Sequence, residues 1–480
     1  LSPIYITDML KGVIPNNPLM AGDVVLAIDG KPLGKDPTRQ FGNAIKTAKE
    51  GSGFLWVTRW RKDKIEQCLV DTGVKPLDLT KGAYPSLDQV DWQLGATGAR
   101  GWVWSIPHKS TKGCTQIYVT KTTKGTPSDG VLEVGDIILG AFGKLFTSDA
   151  RKEFGQALAL AESTEKKGKL NLTIWRGGKQ TAVDVTIPAL GNYSETTPFK
   201  CAKTDRIVNE ACAYMLKQGV GKGFEMHVNA LGLLATGREE FLPILRDHAQ
   251  KMVADAQNYV DKIAVGTWDA GYRNLFLAEY YLVTNDESVL PAIQKYSVAL
   301  CKGQSLVGTW GHRGCLPYLF VDGPRWGITP GYGELNACST VAAISLVVAK
   351  KCKVEVPNID QCIKRSADFL RYYTDKGVIP YGDHQPGIGD HDDNGKNSMA
   401  AVFFDLIGEE KPATYYALTT VASYDDRELG HTGNYFSFVW GPLGAARCGE
   451  YATGAFMSRL AWFFDTVSYT HLTLPTILLV

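Results

Sequence analysis

Ala21-Gly22-Asp23-Val24-Val25-Leu26-Ala27-Ile28-Asp29-Gly30-Lys31 decides the fold of the amino-terminal part, because the same message returns as Val134-Gly135-Asp136-Ile137-Ile138-Leu139-Gly140-Ala141-Phe142-Gly143-Lys144. Each copy follows a short apolar stretch, Ile4-Tyr5-Ile6-Thr7 or Gln116-Ile117-Tyr118-Val119. An acidic turn feeds an apolar strand that a glycine ends. After the first copy come an amphipathic stretch (Phe41 to Lys49), a run from Phe54 to Trp60, a charged turn and a run from Ile65 to Val70. After the second come Ala150 to Ala161, Leu170 to Arg176, the Gly177-Gly178 turn and Thr181 to Ile187. Two alternating runs around a glycine pair signal a hairpin, since glycine reaches positive φ without a Cβ clash. Two β-rich modules, each with one helix, are predicted.

Agreement over five consecutive elements resembles PDZ domains. The resemblance implies an N-terminally truncated copy over 1–72, a linker over 73–93, a second copy over 94–190 and a second linker over 191–204. It also implies a peptide-binding groove, in which a chain terminus sits in a nest of backbone amides and the peptide joins the sheet as an added strand. In the second copy this maps to Gly98, Ala99, Arg100 and Gly101 for the nest and to Trp102, Val103 and Trp104 for the groove strand. Arg100 adds positive charge there. The loop departs from the family's Gly-Leu-Gly-Phe form, which puts the ligand class in doubt, and an ordinary tight turn is the rival reading.

From Asp205 the texture changes to helical stretches separated by glycine- and aromatic-rich turns. Helices are predicted over Asp205–Gln218, Met226–Leu234, Phe241–Lys262, Tyr272–Val283, Val289–Lys302, Leu335–Lys351, Ile359–Asp375, Ser398–Leu406, Ala413–Ser423 and Ala455–Phe464. Apolar residues at helical spacing, such as Leu275, Ala278, Tyr281 and Leu282, bury one face of each against a neighbour. The turns echo one another in Gly266-Thr267-Trp268, Gly308-Thr309-Trp310 and Gly430-His431-Thr432-Gly433. Repeated turn chemistry marks stacked hairpins. Glycine-tryptophan turns leading into helix pairs resemble the α/α toroid of terpenoid cyclases, prenyltransferase β-subunits and complement-like thioester domains; an unclosed solenoid is the rival. The expected fold is therefore multidomain, with two PDZ-like α+β domains followed by an all-α toroid over 205–465 and a non-native, read-through-like tail over 466–480. The combination resembles a bacterial family of multidomain proteins. It implies export to the periplasm or beyond, and it implies no reaction.

Composition narrows the classes further. A formal net charge of +1, with acids and bases mixed throughout, gives no electrostatic reason to expect a nucleic acid partner. Membrane insertion is not expected either, as a spanning helix needs about 20 apolar residues. Eight of the ten cysteines fall from Cys201 onward at irregular intervals without a Cys-x-x-Cys pair, so most read as buried thiols, with one or two disulfides open if the chain is exported.

Polar residues in the helical part form the case for catalysis. Asp383, His384, Asp390, His391 and His431 are the candidate catalytic residues, with His312, Asp322 and Glu334 in the long loop. Carboxylates paired with a histidine suit acid/base attack on a glycosidic bond or an oxygen- and imidazole-lined metal site. The bland alternative makes Asp393 and Asn394 caps of the next helix. His108, His227 and His248 read as partly buried or exposed polar residues rather than as ligands. A thioester is excluded by Tyr451 in Arg447-Cys448-Gly449-Glu450-Tyr451, where the acyl-donating glutamine would stand. No cofactor or metal is expected. Two functions follow: a scaffold whose second PDZ captures a peptide or protein C-terminus, or a hydrolase or lyase acting on a polymer such as polysaccharide.

Overall fold

A computed structural model describes residues 3–7, 19–50, 54–72, 78–81, 92–102, 115–223, 225–257, 266–314, 329, 333–386, 395–423 and 435–467. The chain divides into two compact units. One holds 1–106, 111–157 and 170–186, and the other holds 107–110, 158–169 and 187–480.

The first unit carries two antiparallel sheets. One is ordered β1 (Ile4–Tyr5), β2 (Val24–Ile28), β4 (Phe54–Arg61), β5 (Lys64–Asp71), with β3 (Lys31–Pro32) beside β2 and helix α1 (Pro37–Glu50) between β3 and β4 in the chain. The other is ordered β12 (Lys179–Thr186), β11 (Lys169–Arg176), β9 (Ile137–Ala141), β8 (Ile117–Lys121), β7 (Arg100–Trp102), β6 (Trp92–Gln93). Here β10 (Lys144–Leu145) lies beside β9, and helix α2 (Ala150–Ala161) precedes β11.

The repeated Gly-Asp message has the same physical cause in both sheets. Gly22 and Gly135 sit at φ 95° and 101°, which only glycine adopts without strain. Their amides bond to Ile6 O and Val119 O, while the carbonyls of Asp23 and Asp136 accept from the amides of the same two residues. The carboxylates, each 1 % exposed, accept a turn amide (Met20 at 2.9 Å, Glu133 at 2.8 Å) and an arginine fork. Arg61 reaches Asp23 at 2.5 and 2.6 Å, and Arg176 reaches Asp136 at 2.7 and 2.6 Å. Further on, Asp29-Gly30 and Phe142-Gly143 both have two consecutive positive φ values, the signature of the tight hairpin turn that joins β2 to β3 and β9 to β10. The first core gathers Val25, Ile28, Leu55, Val57 and Val70.

Among the described residues the second unit holds eleven α-helices: α3 (Ala202–Gln218), α4 (Glu225–Ala235), α5 (Leu242–Ala256), α6 (Thr267–Thr284), α7 (Leu290–Gly303), α8 (Asn336–Lys351), α9 (Ile359–Arg371), α10 (Lys396–Leu406), α11 (Glu410–Ala422), α12 (Tyr435–Ala446) and α13 (Glu450–Val467). No described helix is long and apolar enough to cross a membrane. Alternate helices α4, α6, α8, α10 and α12 pack successively side by side and together line one cavity. Helix α8 is buried from Asn336 to Ala349, as a helix enclosed by others must be. It runs parallel to α6: a Cβ on Gly271 would lie 3.4 Å from Ala342 N, and Asn274 Nδ2 donates to Ser345 Oγ at 3.2 Å. Cys352 Sγ meets Ala278 O at 3.5 Å.

Three expectations change. Gly266-Thr267-Trp268-Asp269-Ala270-Gly271-Tyr272 is not a turn before a helix; α6 is helical from Thr267, and Gly271 serves close approach to α8. The predicted helices omit α12, whose Gly441-Pro442 reads as a breaker. Pro442 nonetheless lies inside this helix, and a Cβ on Gly444 would sit 2.7 Å from Ser398 Cα, so glycine lets α12 touch α10. Gly444→Ala is expected to lower stability by about 1–3 kcal/mol in a denaturant titration; an unchanged midpoint would mean the two helices separate freely. Finally, α3 begins at Ala202 in the expected linker, and α13 continues through Val467. Thr466 is thus a buried helical residue and not the start of a tail.

Candidate functional site

The turn before β7 was the expected carboxylate nest. Its amides are already used: Gly98 N donates to Gly95 O at 3.1 Å, and Ala99 N donates to Thr97 Oγ1 at 3.2 Å. Arg100 and Gly101 are paired on both edges of β7, with Gln93 and Trp92 of β6 on one side and Lys121 and Val119 of β8 on the other. Gly101 is required by packing, since a Cβ would meet Ile117 Cγ2 at 2.4 Å. Among the described pairs, Trp102 is matched by Tyr118 of β8 alone. Val103 and Trp104 lie outside the described residues.

In the second unit the loops at the N-terminal ends of α6 and α8 are stitched by backbone bonds. Thr267 N donates to His312 O, Leu335 N to Trp310 O, and Asn336 N to Tyr381 O. Asn336 Nδ2 adds bonds to Pro380 O at 2.9 Å and Gly382 O at 2.8 Å, and its buried Oδ1 has no partner among the described residues. Glu334 accepts from Thr329 Oγ1 at 3.0 Å and from Thr309 Oγ1. A Cβ on Gly382 would lie 2.8 Å from Glu334 O and 3.3 Å from His384 Nε2, so the His384 ring and the Glu334 backbone flank one glycine. Asp383 and His384 are exposed, and His384 O accepts from Tyr373 Oη at 3.0 Å. Trp268 Nε1 and His312 Nδ1 are 3.1 Å apart, and Trp268 stacks on Phe436 at 4.6 Å. Asp390, His391 and His431 lie outside the described residues, as does Asp322. The N-cap position of α10 is Gly395 at φ 69°, not Asp393 or Asn394.

Several buried polar groups carried no signal in the letters. Lys396 opens α10 with 1 % of its surface exposed, and its neighbour Asn397 accepts Ile379 N at 3.0 Å. His227 and His248 face each other at 3.3 Å between Nδ1 and Nε2, and His227 Nε2 is 3.7 Å from Asp269 Oδ1. Asp269 then pairs with Arg273 at 2.8 Å, which reaches Asp255 at 2.5 Å. Burial, with His227 beside it, holds the His248 imidazole down to about 3, so that ring is neutral at ordinary pH. This string spans α4, α5 and α6 and organises their packing. No group of three or more metal-ligating side chains occurs among the described residues.

The most highly charged buried cluster joins Lys203 of α3, Asp465 of α13 and Glu162. Lys203 Nζ lies 2.8 Å from Glu162 Oε2 and 3.0 Å from Asp465 Oδ1, with all three side chains at most 1 % exposed. Tyr193 Oη donates to Asp465 Oδ1 at 2.7 Å, and its ring centroid is 4.0 Å from Nζ. Two carboxylates share one ammonium. Burial, and then the charge of Asp465, push the Glu162 carboxyl up to about 7. The eight described cysteines are free thiols.

Comparison with known families gives one match, described as a domain of unknown function, DUF6288, over residues 204–470. That span takes in α4 to α13 and nearly all of α3. No curated protein matches the chain.

Proposed function

The chain belongs to the DUF6288 family, and from that premise we propose that it is an exported binding scaffold. In this reading two PDZ-like modules precede a helical toroid, and the second module recruits an extended peptide. The observation that carries it is β7, a strand that among the described pairs meets β8 through Arg100, Gly101 and Trp102 and β6 through Arg100 and Gly101. A ligand strand can continue there by main-chain hydrogen bonding. Because the Gly98 and Ala99 amides are consumed inside their own turn, the geometry favours an internal extended segment over a chain terminus.

Titration of the whole chain with one peptide as free acid, as amide and with alternate backbone N-methylation tests this. Free acid and amide are expected to bind within about threefold of each other, and the N-methylated peptide to lose at least tenfold, since each lost ladder bond weakens binding by on the order of 1 kcal/mol. Tight binding of the free acid alone would restore the terminus reader, and binding that tolerates N-methylation would sink strand addition.

A second reading, a hydrolase or lyase on a polysaccharide, draws on the His384 ring and the Glu334 backbone that flank Gly382, with the Glu334 carboxylate held by Thr309 and Thr329. It predicts reducing-end or unsaturated product from a glycan panel, lost in Glu334→Gln. No product from any glycan would discard it.

A further inference from the structure

Helices α4, α6, α8, α10 and α12 line a half-open pocket of about 320 Å³ near their C-terminal ends. Two aromatic rungs lie toward the N-terminal side. Trp268 stacks on Phe436, and one turn lower Trp440 Nε1 donates to Tyr272 Oη at 2.8 Å, with Tyr272 and Trp440 themselves lining the cavity. Both rungs keep one register along α6 and α12, and Glu279 of α6 and Arg447, just past the end of α12, line the pocket below them. These two are the charged members of the lining; the rest is almost wholly aliphatic, as at Leu275, Ile344 and Val439.

The two charges differ in what they still need. Arg447 is matched by Asp405 at 3.0 Å and by Leu443 O at 2.6 Å. No hydrogen bond or ion pair reaches Glu279 among the described residues, and Lys351 acts on it only as a more distant charge. Burial therefore holds its carboxyl above the usual range. Glu279 is half-buried in an apolar wall, where its carboxylate is only partly hydrated, so a cation that reaches it gains from the meeting. The ends of α4, α6, α10 and α12 add carbonyl dipoles of the same sign near the cavity. At 320 Å³ the space lies at the small end of ligand pockets and is too narrow for a folded peptide element.

We propose that this cavity binds a small amphiphile with an aliphatic body and a cationic amine head, the body filling the space beneath Tyr272 and Trp440 and the head meeting Glu279. The site is independent of peptide recruitment by the β-module. Octylamine, octanol and octanoate, titrated calorimetrically into the whole chain, separate body from head. Octylamine is expected to bind at least tenfold more tightly than octanoate, with octanol between them. Glu279→Gln should bring octylamine to within about threefold of octanol, because a hydrogen bond to a charged group accounts for roughly a tenfold preference. Val283→Trp, at a lining residue that is already 53 % exposed and so tolerant of change, should abolish binding of all three. Octanoate binding tightest, or an amine preference that survives Glu279→Gln, overturns the head assignment. Binding of none of the probes, or binding that ignores Val283→Trp, overturns the site.

Discussion

Lys203→Met is expected to destabilise the second unit by about 3–5 kcal/mol, because removing one partner of a buried ion cluster leaves the others uncompensated. Glu162 and Asp465 would remain at essentially zero exposure, with the more distant Arg206 acting on Glu162 in place of a paired ammonium. Hydrogen bonds replace little of it: Asp465 Oδ1 keeps the Tyr193 hydroxyl, while both Glu162 oxygens and Asp465 Oδ2 have no aligned donor among the described residues. Guanidinium denaturation followed by tryptophan fluorescence measures the loss. Adding Glu162→Gln and Asp465→Asn to Lys203→Met should recover much of it, since a neutral cluster of similar volume escapes the desolvation cost. If Lys203→Met unfolds at the wild-type midpoint, the cluster is not held as described.

The same cluster sets the sign of the pH dependence. The folded Glu162 carboxyl is raised to about 7 from an unfolded value near 4.5, and Asp465 is raised as well. A raised acid binds its proton more tightly when folded, so its contribution is fully present below about 4.5 and disappears as pH rises through about 7. Lys203, also raised, keeps its contribution across this window and loses it only in strong alkali. Asp23, held low first by Arg61, acts in the opposite sense and loses its contribution as pH falls below the ordinary carboxylate range. The neutral His248 opposes the two acids, because only the unfolded chain takes up its proton as pH falls through about 6.5. The acids are therefore read against a variant: the stability of Glu162→Gln relative to wild type should be lower at pH 5 than at pH 8, and an equal difference at both would contradict the raised Glu162 carboxyl.

These charges mark where the letters stop being legible. The two β-modules could be read because strand, glycine turn and aspartate are local features with fixed steric meaning. Arg61 and Arg176 could not be tied to Asp23 and Asp136, since that pairing depends on strand register, Val24 opposite Trp60 in one sheet and Ile137 opposite Trp175 in the other. Most helices of the second unit followed from apolar spacing. Helix α12 was missed because Gly441 and Pro442 carry the local signature of a break, while the tertiary contact with α10 overrides it. Lys203 stood in an expected linker, where a lysine normally meets water, and its partners are distant in the chain. The loop residues around Gly382 were legible as polar and turn-forming, but their convergence arises from backbone bonds between three separate loops, which no local pattern encodes.

Arg176→Met is expected to destabilise the second β-module by about 3–5 kcal/mol, and Asp136→Asn by less, about 1.5–3 kcal/mol. The asymmetry follows from burial. Asp136 has 1 % of its side chain exposed and Arg176 has 32 %, so deleting the arginine strands a buried carboxylate. Removing the aspartate's charge instead frees a guanidinium that can turn to water, where Glu133 at 3.1 Å still attends it. The side-chain amide introduced by Asp136→Asn would keep an oxygen for the Glu133 N–H that Asp136 now holds at 2.8 Å, so the turn survives. The first module provides the control, because Arg61 and Asp23 repeat the arrangement with Arg59 as a second cation 3.5 Å from the carboxylate. Arg61→Met should therefore cost less than Arg176→Met. Chemical denaturation of these variants reads the order directly: equal losses from the two arginine changes would show that Arg59 contributes nothing, and a larger loss for Asp136→Asn than for Arg176→Met would show that the arginine, not the aspartate, is the group that cannot be left alone.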